Sequence, residues 1–235
     1  MRIDKLLAHA GYGTRKEVKK LLKDKRVTVN GEVIKQDRFP VDPATDHITV
    51  DEETVNYQEK VYFMLNKPQG YVSATIDNVY PTVIDLIDDV HTDLFPIGRL
   101  DVDTEGLLII SNDGALGHQL TSPKSHCPKT YEVICDGDVT KEDIALFAAG
   151  MSLDDMTCLP ATLEVIDVQK HLCHVTIMEG KFHQVKRMFL KIGKPVLFLK
   201  RIKMGSLTLD PNLEVGSYRP LTAEEIHSLA PKTMV

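Results

Sequence analysis

The stretch Gly98-Arg99-Leu100-Asp101-Val102-Asp103-Thr104-Glu105-Gly106-Leu107-Leu108 sets the frame for the rest of the chain. One cation and two carboxylates fall between Arg99 and Asp103. They are bounded by glycines and run straight into the apolar residues Leu107-Leu108-Ile109-Ile110. A short apolar run behind turn residues reads as a buried strand. Charges that close to such a strand sit at the edge of a core, where electrostatics strengthen and water is partly excluded. An edge of this kind suits a reactive carboxylate, and Asp101 is the candidate.

Outward from that stretch, strand patterns dominate. Val61-Tyr62-Phe63-Met64-Leu65-Asn66 reads as a strand stopped by Lys67-Pro68-Gln69-Gly70-Tyr71. Residues 107–111, 129–134, 161–166 and 171–178 carry strand patterns, and 200–209 predicts one last long strand. Helices are expected after Pro81 over residues 81–87, over 115–120 and 141–149, and over 184–192. In the last of these Val185, Met188, Phe189 and Ile192 share one face. Thr222-Ala223-Glu224-Glu225 caps a C-terminal helix. Few of these helices are long enough to cross between parallel strands. The expected class is therefore α+β, with a mainly antiparallel or mixed β-sheet flanked by helices.

The first residues follow a different plan. Thr14-Arg15-Lys16-Glu17 has the form of a capping box, and Val18, Leu21 and Leu22 then make one apolar stripe. Lys16, Lys19, Lys20 and Lys23 lie largely off that stripe. Ile3, Leu6, Leu7 and Ala10 repeat the helical spacing before it, and Gly11-Tyr12-Gly13 separates the two helices. Val27-Thr28-Val29-Asn30-Gly31-Glu32-Val33-Ile34 alternates around Asn-Gly, the strongest short hairpin signature. The polar run from residue 51 to 60 has no period and reads as a linker. Two domains are expected, 1–58 and 59–235.

The 235-residue chain carries a net charge of −6, which taken alone argues against a polyanionic partner. Its distribution argues the reverse. Residues 1–38 hold 11 Lys and Arg against 5 Asp and Glu, whereas residues 39–95 hold 2 against 11. From Lys181 to Lys203 there are 8 basic residues and no acidic one. Two basic patches separated by an acidic segment suit a polyanion with a defined footprint. With 43% apolar residues a sizeable core is available. No apolar run approaches the roughly 18 residues that a membrane helix needs. Met1-Arg2-Ile3-Asp4-Lys5 lacks the apolar core of a signal peptide. Cys127, Cys135, Cys158 and Cys173 show no Cys-x-x-Cys pairing, so a reduced, cytoplasmic protein is expected.

Asp101-x-Asp103-x-Glu105-Gly106 superficially looks like a calcium loop, but the twelfth position is Asn112 rather than a bidentate Glu. His171, His174 and His183 have no partner at metal-ligand spacing. Neither a Gly-rich phosphate loop nor a Gly-x-Ser-x-Gly elbow is present. No metal and no cofactor are expected. What remains is Asp101 beside Arg99, the aromatic Tyr131, and Lys186-Arg187 on the helix that opens after residues 180–184. A carboxylate kept ionised at a half-buried site needs a cation beside it, which Lys186 or Arg187 could supply. A flat aromatic offers a stacking surface for a base taken out of its helix. Taken singly, each residue has a plain structural alternative: Asp101 as turn former, Tyr131 as core, Lys186 as solvated surface; Asp103 reads as a turn or capping residue.

Arg2-x-Asp4-Lys5-x-Leu7, Thr14-Arg15 and Val27-Thr28-Val29-Asn30-Gly31 together resemble the S4-type RNA-binding domain. In that family the basic second helix lies along RNA backbone. Gly98-Arg99-Leu100-Asp101 followed by Asp103-Thr104-x-Gly106-Leu107 resembles the central motif of the pseudouridine synthases. Asn66-Lys67-Pro68-x-Gly70, Lys129-Thr130-Tyr131 and Gly180-Lys181-Phe182-His183-Gln184-Val185-Lys186-Arg187-Met188 match further motifs in the expected order. The whole is similar to the ribosomal synthases that modify one uridine of rRNA. Phe63-Met64-Leu65-Asn66-Lys67-Pro68-Gln69-Gly70-Tyr71 together with His183-Gln184-Val185-Lys186-Arg187 most resembles the branch acting on small-subunit rRNA, and the large-subunit branch more usually has Arg where Lys186 stands.

The resemblance implies that Asp101 is the catalytic carboxylate of an enzyme that breaks the bond between ribose C1′ and uracil N1, rotates the base, and rejoins it through C5. It implies that Tyr131 stacks on the flipped uracil and helps proton movement at the end. Lys186 would keep Asp101 ionised and aimed, and Arg99 would hold the flipped nucleotide or fill its place. Lys16, Lys19, Lys20, Lys23 and Arg187 would contact RNA phosphates, contributing affinity rather than sequence choice. The implied partner is small-subunit (16S) rRNA, within an assembly particle and with the protein a monomer. The rivals are the same reaction on large-subunit (23S) rRNA and a non-catalytic ribosome-assembly factor that binds RNA.

Overall fold

The computed structural model of the chain describes residues 1–89, 91 and 93–229. They divide into two compact units, Met1–Val61 with Asp88–Leu94, and Tyr62–Ile87 with the chain from Phe95 onward.

The first unit opens with helices α1 (Ile3–His9) and α2 (Arg15–Lys23). The capping box at Thr14 forms as its residues predict: Glu17 Oε2 accepts from Thr14 N at 2.7 Å, and Thr14 Oγ1 accepts from Glu17 N at 3.4 Å. A four-stranded antiparallel sheet follows, of strands β1 (Val27–Val29), β2 (Glu32–Val33), β3 (Ile48–Val50) and β4 (Glu53–Thr54), in the order β2-β1-β3-β4. Asn30 and Gly31 have φ of 51° and 84°, the left-handed pair that a tight hairpin between right-twisted strands requires. Ile3, Leu6, Leu7, Val18 and Leu22 are fully buried and close the helices over the sheet.

The polar run after residue 50 is not all linker. Asp51 and Glu52 form a turn (φ 52° and 70°), and Glu53–Thr54 then pairs with β3. A two-residue strand with both side chains exposed has no period to read. The turn is fixed from outside the run, by Arg26 Nε donating to Asp51 Oδ1 at 2.7 Å.

The second unit is built on one large mixed sheet. Its elements are β5 (Tyr62–Lys67), β6 (Phe95–Ile97), β7 (Glu105–Ser111), α3 (Gly114–Thr121), β8 (Lys129–Cys135) and α4 (Lys141–Ala149). They continue with β9 (Met151–Leu153), β10 (Met156–Cys158), β11 (Thr162–Asp167), β12 (Leu172–Ile177), α5 (Gln184–Lys191), β13 (Val196–Met204), β14 (Leu207–Thr208), β15 (Tyr218–Pro220) and α6 (Ala223–Leu229). The main order is β11-β12-β8-β13-β7-β5-β15, with β6 beside β7 and β14 beside β13, and β9 and β10 form a separate hairpin. The β7–β13 pair is parallel and the others are antiparallel, which makes the sheet mixed as its patterns predict.

Residues 98–104 lead into β7, near the middle of this sheet. Leu107, Leu108, Ile109 and Ile110 are fully buried, so both faces of the strand are covered. Each such side chain contributes about 1.5–3 kcal/mol relative to exposure. Gly106 has a steric reason: a Cβ there would lie 2.3 Å from the Arg201 carbonyl oxygen, and its φ is +103°. Only glycine lets β7 begin against β13 at that point.

Two expected elements come out differently. Residues 81–87 hold only a 3-10 turn, Val83–Leu86. Val72 N donates to Pro81 O at 3.0 Å, taking the carbonyl that a helix would bond to Asp85 N, and Asp85 N bonds Thr82 O instead at 3.1 Å. The long last strand breaks at Gly205 (φ +59°) into the β13–β14 hairpin, with Met204 opposite Leu207. Strands β6, β9, β10 and β15 were not legible from periodicity; each is three residues long.

Candidate active site

Residues 100–104, between β6 and β7, are held through their backbone by Lys67 at the end of β5 and by Gly70 and Ser73 just after it. Lys67 is fully buried, and its Nζ donates to the carbonyls of Pro68 (3.0 Å), Asp101 (3.0 Å) and Thr104 (2.9 Å). Burial pushes this ammonium down to about 8, against the pull of Asp101, Asp103 and Glu105. Ser73 Oγ donates to Leu100 O and accepts from Leu100 N, both at 2.9 Å, and Gly70 N donates to Val102 O at 2.7 Å. Thr104 N closes the turn on Asp101 O at 3.1 Å. A loop so restrained aims its side chains with little freedom left.

Asp101 projects from this turn with its side chain 29% exposed. Its Oδ2 accepts from Lys186 Nζ at 2.9 Å, and its Oδ1 lies 3.6 Å from His183 Nε2. Lys186 stands in the first turn of α5, whose apolar residues Val185, Met188 and Phe189 bury the opposite face. Of the two cations the sequence offered, Lys186 reaches Asp101. Arg187 turns away and forms an ion pair with Asp155.

Asp103 is more than a turn residue. Its Oδ1 accepts from Lys186 Nζ at 2.5 Å, so one ammonium bridges both carboxylates. Burial works to raise the Asp103 carboxyl, but the hydrogen bond and charge of Lys186 outweigh it and hold it below the usual range. Lys186 is raised in turn: burial opposes its charge, and the bonds to Asp103 and Asp101 prevail.

Arg99, Asp101, Tyr131, His183 and Lys186 line one open cleft. Tyr131, on β8, is 7% exposed and stands directly opposite Arg201 of β13. An adjoining hollow of about 340 Å³ is lined by Arg99, Lys129, Tyr131, Lys181 and Arg201. Arg201 is buried, and its Nε donates to Leu107 O at 2.8 Å. Arg99 is exposed. In the other unit Lys16, Lys20 and Lys23 stand exposed on α2, while Lys19 pairs with Asp37 at 2.9 Å.

Sequence reasoning gave no role to Lys67, Ser73 or Arg201, and no partner to His183. Lys67 had left a trace, as a lysine closing an otherwise apolar strand, but its three acceptors lie on residues 68, 101 and 104.

A carboxylate locked to a lysine beside a buried tyrosine, on a mixed sheet with no metal cluster among the described residues, is equipped for proton and covalent chemistry on one bound group. The chain matches the RNA pseudouridylate synthase family over residues 61–191 and the S4 domain over residues 1–48. It is 47% identical over 234 residues to the uncharacterized RNA pseudouridine synthase YtzG of Bacillus subtilis, covering 97% of this chain and 98% of that one. It is 45% identical over 235 residues to the ribosomal small subunit pseudouridine synthase A of Salmonella typhimurium, covering 97% and 100%. A crystal structure of a pseudouridylate synthase aligns with a TM-score of 0.69 and 40% identity, covering 98% of this chain and all of the other. The chain belongs to the RNA pseudouridylate synthase family, a family of isomerases, and carries an S4 domain at its N-terminal end.

Proposed function

We propose that the protein converts one uridine of small-subunit (16S) rRNA to pseudouridine, working in the cytoplasm on an assembly particle. The observation that carries the reading is the Asp101 carboxylate, fixed by Lys186 at 2.9 Å in a cleft that Tyr131 also lines. The name of the Salmonella typhimurium relative supports the choice of subunit. In this reading residues 1–58 supply RNA affinity and residues 59–235 the chemistry.

Asp101 assists departure of uracil N1 from ribose C1′ and its return through C5. Lys186 holds and aims the carboxylate while Asp103 shares its charge. Tyr131 stacks on the flipped base, and exposed Arg99 meets the displaced nucleotide at the rim. Lys16, Lys20 and Lys23 contact phosphates. Lys19 and Arg187 join them by exchanging Asp37 and Asp155 for phosphate.

Mapping pseudouridines in rRNA from cells lacking the protein tests the reading. Loss of a single small-subunit site is the expected result. Loss of a large-subunit site would overturn the choice of subunit, and loss of none would favour an RNA-binding assembly factor.

A further inference from the structure

The two oxygens of Asp101 are not served alike. Oδ2 is bonded to Lys186, whereas Oδ1 faces His183 Nε2 across 3.6 Å, too long for a hydrogen bond. His183 reaches this place through a left-handed backbone, φ 50°, which costs free energy in a non-glycine residue and tends to persist where function needs it. It occupies the N-cap of α5, yet its side chain caps nothing. The ring instead stacks on Phe182, with centroids 3.8 Å apart and planes 18° from parallel, and lines the cleft with Asp101 and Tyr131. The side chain is 41% exposed, so a proton placed on it has a path to water.

The proposed reaction breaks N1–C1′ and forms C5–C1′, after which C5 carries both ribose and its original hydrogen. That hydrogen must leave as a proton while N1 gains one. Because C5 is then bonded directly to C1′, the departing proton lies beside the sugar carbon that Asp101 serves. A base a few ångströms from Asp101 is within reach of it. Lys186 has its protons committed to two carboxylates, and a neutral phenol such as that of Tyr131 is a far weaker acceptor than an imidazole.

We infer, building on the pseudouridine reading, that His183 is the base that removes the C5 proton from the rejoined uracil. The C5–H electron pair becomes the C5=C6 double bond, the C6=N1 pair moves onto N1, and N1 takes a proton from water. The imidazolium, held against Asp101 Oδ1, then releases its proton to solvent. No oxidant or cofactor enters the balance.

The test uses the full chain with RNA whose uridines carry deuterium or tritium at C5. His183→Asn and His183→Gly both suit the left-handed backbone. The expected result for both is turnover lowered about 100-fold with RNA binding intact. A C5 isotope effect larger than that of the wild type should emerge, and added imidazole should restore part of the His183→Gly rate. Variants at wild-type rate would overturn the inference. So would slow variants with neither isotope effect nor imidazole response, or an isotope effect that appears in Tyr131→Phe instead. Wild-type protein that releases no C5 tritium would overturn the functional reading itself, before any variant is measured.

Discussion

The turn at residues 100–104 and helix α2 both concentrate charge, and they hold it in opposite ways. On α2, Lys16, Lys20 and Lys23 stand in solvent on the face away from Val18 and Leu22. At the turn, Lys67 is fully buried on three carbonyls, and Lys186 is bonded to two carboxylates. Charge meant for a flexible polyanion must stay free to exchange counterions for phosphates. Charge meant for chemistry must be fixed before substrate arrives, because reorganising it during reaction raises the barrier. The turn should therefore answer to mutation through rate, and the helix through affinity.

The largest effect belongs to Asp101→Asn. On the proposed role of Asp101, turnover should fall by roughly four orders of magnitude while RNA affinity stays within about twofold. Single-turnover assays and filter binding check the pair of outcomes. Retained turnover would remove Asp101 from the mechanism, and lost affinity would break the division between the two regions.

Lys67→Met should come next. It takes the ammonium from three carbonyls, leaving Asp101 O with Thr104 N alone, and frees the turn, at a cost of about 2–4 kcal/mol in stability and roughly 100-fold in kcat, with KM little changed. The pH dependence has a definite sign. With its folded value lowered to about 8 against 10.5, Lys67 binds fewer protons in the folded than in the unfolded chain between those limits. Wild-type stability should therefore rise relative to Lys67→Met as pH climbs through that window, by up to about 3 kcal/mol, and the difference should stay level below it. Denaturant unfolding at several pH values would show a flat difference throughout if the buried ammonium is not the cause.

The smallest effect is expected on α2. Replacing Lys16, Lys20 and Lys23 together by Gln should weaken RNA binding and lower the slope of log affinity against log salt by about one per phosphate contact, leaving kcat unchanged. Lys19→Gln alone should change less, because Asp37 already neutralises that charge. A salt slope that survives the triple substitution would move the RNA contact off α2.

Legibility follows how far each interaction reaches along the chain. The capping box at Thr14, the Asn30-Gly31 hairpin and the stripe on α5 are local, and all form where the residues indicate. Strand β7 was readable because its buried residues are consecutive. The β3–β4 turn was not, since an arginine 25 residues away holds it. Asp103 had looked like a turn residue because its ammonium partner stands 83 residues further on. His183, read for metal spacing and as one member of a motif without a role of its own, comes within 3.6 Å of Asp101 through an unusual backbone angle that no periodicity reports.

By itself the sequence determined the α+β class, the basic helix in front and the carboxylate at the head of a buried strand, because composition, capping and apolar runs act over a few residues. Tertiary packing alone places Asp103 on the same ammonium as Asp101, turns Arg187 to Asp155, and sets Lys67 beneath the turn. Those choices depend on where the end of β5 and the start of α5 come to lie around residues 100–104. That placement is set by the packing of the whole mixed sheet, which no local stretch of residues encodes.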